Sequence, residues 1–567
     1  MQLDVELRVA ARAEAAARRE LGEAARPFLH GRAHHRLGFV RLSDYTRERL
    51  GVSARTLQVA ARMAERLAVL PAIGTAFDRA DISWTQARLL CAVATEADEQ
   101  QWLELASRCC VEDLERRVRP GQTSAISPEP GTIDGEPMVR VRLRCPARVR
   151  ALWRRALELA SRVAGETLAD WRAAEIIAAE GFSGRSRGRS WREHPGPFPA
   201  ASADASADDP PREPRADTER PRAPAGGSPS GKTDPFALDA RLVAAVAAVR
   251  TAEPRIGRLL RMMVDHRFYR TLGFQSVDTY VRERLGLSLR KAWALLKVEK
   301  ATYRSGEFAR AYAAGTLSWA RALALLPVLD RDNAASWIAR AGAVTVRRLA
   351  DEVTWVLDAR DVRGLDFPLD PPPLGSPLAP VTIDAIATPR CQEMSPAQSV
   401  QIGAHELERD LDARARAELC DVEITFVAPA SVAALFRSVL DDFARPDAPR
   451  WVALERLLLH AARYWTSLPA HRDPVFARDG WRCAVPACTS RRNLHDHHIV
   501  FRSRGGGNAR DNRVSVCAAH HLHGLHDGSV RAEGTAPDDV EWQLGTRAYG
   551  PPLLTSVGDR LLAAAAS

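Results

Sequence analysis

The feature that most constrains this chain is an internal repeat with a constant spacing of 235 residues. Leu37-Gly38-Phe39 returns as Leu272-Gly273-Phe274, and Arg47-Glu48-Arg49-Leu50-Gly51 returns as Arg282-Glu283-Arg284-Leu285-Gly286. The same offset carries Tyr45 to Tyr280, Ser53 to Ser288, Arg55 to Arg290, Ser83-Trp84 to Ser318-Trp319 and Trp102 to Trp337. No gap is needed from about residue 3 to residue 118. Two copies that align so closely are expected to share one fold.

The repeat resumes after a break. Val139, Val141 and Leu143 alternate with Arg140, Arg142 and Arg144, the period of a half-buried strand, and Val422, Ile424 and Phe426 sit similarly. After Pro146 the apolar positions Val149, Leu152, Trp153, Ala156 and Leu157 follow helical spacing, as do Val432, Leu435, Phe436, Val439 and Leu440 after Pro429. Each half is therefore expected to be mostly helical with a short strand, giving a mainly α chain. At ~150 residues per domain, 567 residues suit three or four folded units. The expected division is a first half over 1–181, a disordered linker over 182–237 and a second half over 238–465. A third unit is expected over 470–531 and a C-terminal tail over 532–567. The linker is crowded with Arg, Ser, Pro, Asp and Gly, which cannot repay the entropy of ordering. A proline-rich insertion near 363–400, with Pro371-Pro372-Pro373, marks a loop or hinge in the second half.

Composition sets limits without naming a function. The chain is 46% hydrophobic and 27% charged, the balance of a globular protein with a real core. Its 80 basic and 71 acidic side chains leave +9, which is compatible with a polyanion partner but does not demand one. Charges interrupt the N-terminal twenty residues, and no window offers the ~18 apolar residues needed to span a bilayer. The expectation is a cytoplasmic protein without membrane contact. An odd set of nine cysteines then suits thiols or metal ligands better than disulfides.

Inside each repeat the pattern predicts two helices around a glycine turn. Val277 to Leu285 forms the first, Gly286 the turn, Ser288 the cap and Leu289 to Lys300 the second; the first copy runs Leu42 to Leu50, Gly51, Ser53 and Ala54 to Arg66. Over about 30 residues this segment resembles bacterial helix-turn-helix sequences. The resemblance implies that Arg55, Thr56, Gln58 and Arg62, or Arg290, Lys291 and Lys297, face DNA, with the linker setting the spacing of two readers. Two packed helices with solvated arginines are the other reading.

Eight of the 15 histidines fall between His471 and His526, together with Cys483, Cys488 and Cys517. Cys483 and Cys488 are separated by four residues, and Cys517 and His520 by two. Two such pairs brought together close a tetrahedral Zn²⁺ site of three sulfurs and one nitrogen, with no vacancy for water, so this zinc would be structural. From Asp473 to Arg531 nine arginines outnumber five aspartates, and Arg502 and Arg504 beside Gly505-Gly506-Gly507 suit phosphate binding without sequence readout.

From about Asp473 to Val530 the chain resembles the HNH endonucleases. The elements that carry the likeness are Cys483-Ala-Val-Pro-Ala-Cys488, His497-His498-Ile499, Arg502-Ser503-Arg504-Gly505-Gly506, Asn512 ahead of Cys517, and His520-His521. They cover roughly a tenth of the chain. The resemblance implies a ββα-metal fold with the zinc knuckle beside it: His498 at a strand end, a second strand at Val514 to Val516 and a helix from Ala518. It implies that His498 is the general base, that Asn512 fixes the loop orienting it, and that His497 and His521 hold a catalytic divalent cation, Mg²⁺ or similar. His526 joins them only if Gly524 ends or bends the helix, because five residues is about 140° of an α-helix. His523 is a weaker candidate ligand, and His495 is expected at the surface or behind the ligands.

These implications favour a metal-dependent DNA endonuclease, with DNA as partner and self-association possible through the helical halves. The alternative is a zinc-stabilised DNA-binding or regulatory protein whose HNH fold does not cleave. No phosphate-binding loop of Walker type and no His-Glu-x-x-His zinc helix is present.

Overall fold

The structure, a computed structural model, describes residues 2–118, 132–133, 136–183, 234–378, 420–446, 448–467 and 473–562. It is mainly helical, with a few small antiparallel sheets. In the first half the elements used below are α1 (Gln2–His30), α2 (Ala54–Val69), β1 (Glu136–Cys145), α3 (Ala147–Ala164) and α4 (Asp170–Ser183). The second half contributes α5 (Pro235–Asp265), α6 (Leu289–Thr302), α7 (Val346–Arg363), β2 (Val422–Pro429), α8 (Ala430–Phe443) and α9 (Arg450–Ser467). No helix among the described residues is long and apolar enough to cross a membrane.

The two halves form one intertwined body. Their strands pair with each other, β1 antiparallel to β2 with Val141 opposite Phe426 and Leu143 opposite Ile424. The alternation seen in the sequence thus lines a single apolar face, on which Trp153, Phe436, Leu457 and Trp465 from both halves pack. At the other end α1 lies along α5. Here the repeat produces contacts in matched pairs, as at the two-fold interface of a dimer. Tyr45 and Arg49 bind Asp239 at 2.9 Å each, while Tyr280 and Arg284 bind Asp4 at 3.1 and 2.9 Å. Glu48 accepts from the backbone N–H of Val346, and Glu283 accepts from those of Val111 and Glu112. Asp4 and Asp239, and Val111 and Val346, each lie 235 residues apart; only the Glu112 bond has no counterpart among the hydrogen bonds of Glu48.

The expected helix-turn-helix segments are present in both copies. Each first helix ends in a π-helical turn, Thr46–Leu50 or Val281–Leu285, and Ser53 and Ser288 cap α2 and α6 by accepting from the N–H three residues on. The turns themselves are not free. Gly51 and Gly286 have φ of 64° and 65°, and a Cβ would lie 2.6 Å from Ser318 in one copy and 2.4 Å from Ser83 in the other. Each turn is docked on the opposite half, so direct packing sets the spacing of the two segments. That corrects the expectation that the linker sets it. Arg55, Gln58, Arg62, Arg290 and Lys297 are exposed as expected. Lys291 is not: it pairs with Glu253 and lies 4.2 Å from the Trp319 ring centre.

Residues 184–233, most of the expected linker, lie outside the described residues, as do 379–419, which include the rest of the proline-rich insertion. Its visible part is tied down by its carbonyls. Leu369 accepts from Asn333 and Trp337, Pro372 from Arg340 and Ser376 from Arg348.

The C-terminal unit begins at Asp473, which caps the short helix Pro474–Arg478. A hairpin follows, β3 (Leu494–His498) antiparallel to β4 (Arg513–Cys517), with His497 opposite Val514. The chain then enters a short helical stretch, Ala518–His520 continued by a π turn, His521–Leu525. The expected tail is in fact a four-stranded antiparallel sheet: β5 (Val530–Thr535), β6 (Asp539–Leu544), β7 (Leu554–Val557) and β8 (Arg560–Leu561). Its alternation of Val540, Trp542 and Leu544 faces a core shared with Phe28, Leu37 and Phe39 of the first half and with Cys483, Val485 and Val516. The C-terminal unit is therefore part of the first half's core.

Candidate metal centre

Two groups of ligand side chains meet at the hairpin. In the first, Cys483, Cys488, Cys517 and His520 are all buried, with ligand atoms within 4.8 Å of one another. The sequence brings them together in two ways. The knuckle between the first two cysteines is closed by Cys488 N–H donating to Val485 O and by Cys483 N–H donating to Ser490 O. Cys517 ends β4, and Ala518 starts the helical stretch that turns His520 back over it. His520 Nδ1 lies 3.3 Å from Cys483 Sγ and 3.4 Å from Cys517 Sγ. Those separations are close to the ~3.6 Å edge of a tetrahedron with bonds of ~2.1 to 2.3 Å. His520 Nε2 donates to Gly38 O at 3.1 Å, which leaves Nδ1 as the free ligand atom. Hydrogen bonds from Cys483 and Cys517 hold the Cys488 thiol well below its ordinary range, while burial pushes Cys483 up. A buried, preformed set of three sulfurs and one nitrogen could hold a metal such as zinc.

The second group is His497, His521 and His526, again with ligand atoms within 4.8 Å. The ring centres of His521 and His526 are 4.9 Å apart, and those of His497 and His521 are 5.1 Å apart. His526 arrives because the segment is π-helical: its N–H donates to His521 O, so five residues complete the turn that an α-helix would overshoot. Burial, then the neighbouring His521 and His526, takes the His497 imidazole down to about 4. Burial also lowers His521, with His526 and His495 adding to it. Both rings are thus held neutral, the form that binds metal.

His498 is the last residue of β3, and it points the other way. Its Nε2 lies 2.9 Å from Asn508 Oδ1, across the glycine loop. Asn512 holds that loop: Oδ1 accepts from Val500 N–H at 2.8 Å, and Nδ2 donates to Val500 O at 3.2 Å and Gly507 O at 2.8 Å. Gly506 allows the bend, since a Cβ there would sit 1.8 Å from Val500 O. Arg502 and Arg504 are exposed on a turn beside it, with Arg504 over the Phe501 ring.

No family model, curated protein or solved structure matches the chain. The geometry alone carries the reading of this centre.

His495 stands behind the ligands, one of its two expected places, with Nδ1 3.0 Å from His521 Nδ1. Other contributors escape the sequence: Asn508 is the partner of His498. His523 is 75% exposed and faces Asp527, outside both groups. The knuckle is also gripped from outside. Asp44 accepts from Thr489, Arg47 donates to Ala487 O, and Arg347 of α7 donates to Cys483 O, Val485 O and Cys488 O. Asn508 stands just past three glycines, which is the one weak signal that could have marked it.

Proposed function

We propose that the protein is a metal-dependent endonuclease that hydrolyses phosphodiester bonds in DNA through an HNH site. The observation that carries this is the division of labour at the end of β3. Adjacent histidines leave on opposite sides of the strand: the buried His497 joins the half-buried His521 and the exposed His526, and His498 faces the glycine loop beside two exposed arginines. The hairpin followed by a helical stretch supports the ββα-metal reading, and the Cys483, Cys488, Cys517 and His520 set supports a zinc that fixes the hairpin.

In this reading a divalent cation held by His497, His521 and His526 supplies positive charge to the phosphate and the leaving oxygen. The protein's own part is to place the base and the substrate. With His498 Nε2–H donated to Asn508 Oδ1, the Nδ1 lone pair is the one left to take a proton from water. Asn512 keeps the loop from 500 to 507 in register so that this ring does not swing. Arg502 and Arg504 bind backbone phosphates and carry no sequence information.

Plasmid DNA incubated with the protein across a series of divalent cations tests the proposal, with nicking as the readout. His498→Ala is expected to lower the rate by ~10²- to 10⁴-fold, the usual worth of a general base, with zinc content and helicity unchanged. Undiminished nicking by that variant, or no nicking by the wild type with any cation, overturns it.

A further inference from the structure

We infer that the groove between α5 and α6, in the second half alone, is a docking face for the backbone of duplex DNA, separate from the metal centre. The repeat supplies its own control. In the first half the corresponding helices α1 and α2 enclose an open groove of about 710 Å³ lined by Glu23, Arg26, His30, Gln58, Arg62 and Glu65. Adding 235 to these positions places Arg258, Arg261, Asp265, Trp293, Lys297 and Lys300 along α5 and α6. The same helix pair packs in both halves, through Gly22 against Ala60 and Ala64 and through Gly257 against Leu295 and Glu299.

The chemistry of the two grooves differs. On the first, Glu20, Glu23 and Glu65 offset Arg26, Arg55 and Arg62. On the second every one of those six positions is a cation, because Glu20 is replaced by Arg255, Glu23 by Arg258 and Glu65 by Lys300. Asp265, bound to Arg261, Asp278, bound to the Trp293 indole, and Glu299, buried between the helices beside Arg258 and Arg261, are the acids of this face, and three positive charges remain after all three are counted. Gln58 is replaced by Trp293, which stands 46% exposed. Three of the chain's four lysines lie on α6. A general arginine-rich composition does not explain acids changed to cations on one copy only.

This face suits a polyanion with two lines of charge. Arg290, Trp293, Lys297 and Lys300 form one stripe spanning about 15 Å at 1.5 Å per residue. The arginines of α5 form a second stripe, one helix spacing of ~8 to 10 Å away. A duplex groove presents two phosphate rows, whereas a single strand presents one. The choice of DNA among polyanions rests on the nuclease reading above, but the cationic face does not. The asymmetry also means that the two repeats are not equivalent half-site readers.

The test is fluorescence anisotropy of a labelled 30-base-pair duplex with the full chain, without added divalent cation, over a range of salt concentrations. Lys297→Glu with Lys300→Glu is expected to weaken binding by tenfold or more. The slope of log K against log salt should become shallower by about two, because each phosphate that a side chain neutralises contributes ~0.9 to it. Arg62→Glu, on the matching face of the first half, is expected to leave binding within about twofold. Equal loss from both variants, no loss from the double variant, or tighter binding of single strands or anionic vesicles than of the duplex overturns the inference. Plasmid nicking is scored separately. A protein that binds the duplex through this face but cuts with no cation sinks the nuclease reading and leaves the docking face standing.

Discussion

Replacing Arg347 with methionine is the perturbation that most directly tests how the knuckle of the proposed zinc site is held. The guanidinium is 6% exposed and donates Nη1 to three knuckle carbonyls, Cys483 O at 2.9 Å, Val485 O at 3.1 Å and Cys488 O at 2.7 Å. Its Nη2 pairs with Asp559 at 2.7 Å, so one side chain joins α7, the knuckle and the C-terminal sheet. Methionine keeps most of the volume and removes all four bonds. Hydrogen bonds to a charged group are worth about 1.5 to 3 kcal/mol each, but water will reach part of the gap. The better guide is the loss of one partner from a buried ion pair, about 3 to 5 kcal/mol. If most of that falls on the knuckle, metal release to a colorimetric chelator should accelerate by ~10²- to 10³-fold, at about 1.4 kcal/mol per tenfold. Arg348→Met is the control, because Arg348 binds Glu352 and Ser376 O and does not touch the knuckle. It should lower the melting temperature without changing metal release. Release from Arg347→Met within threefold of wild type would refute the clamp.

Other outcomes follow from the same contacts. Cys488→Ser should abolish zinc binding and also reduce helicity by circular dichroism, because Cys488 shares a core with Phe28 and Leu37; a structural zinc contributes on the order of 10 kcal/mol, comparable with the whole stability of a domain. An unchanged helical signal would show that the helical body stands without the C-terminal unit. Gly506→Ala should slow nicking by ~10²-fold with zinc retained, since its Cβ would overlap Val500 O and displace the loop that Asn512 holds; an active variant would remove the loop from the mechanism. His34 is 8% exposed with no partner for Nδ1, and burial, then His35 and Arg32, lowers it to about 4. The folded state then binds fewer protons than the unfolded state between about pH 6.5 and 4, so stability falls as pH falls through that window. His34→Phe should flatten this acid limb of a melting series by roughly 1 to 3 kcal/mol, and an unaltered limb would assign it to other groups.

The sequence by itself determined what depends on neighbours along the chain. The matching motifs of the repeat, the alternation in β1 and β2, the caps at Ser53 and Ser288 and the spacing within the pairs Cys483/Cys488 and Cys517/His520 are all local patterns. Each survives in one dimension because period, cap and ligand spacing are properties of a few consecutive residues. Tertiary structure decided the rest. It paired the two strands with each other, docked each glycine turn on the opposite half and turned the expected tail into a sheet. It brought His526 beside His521 by a π turn, where the sequence had made His526 a ligand only if the helix ended or bent, and it paired Lys291 with Glu253. Arg347 reads in sequence as one more helical arginine among 76, yet it binds a knuckle over 130 residues away. The physical reason is that a buried polar group must find a partner wherever the fold supplies one, and that partner leaves no mark on the residues beside it.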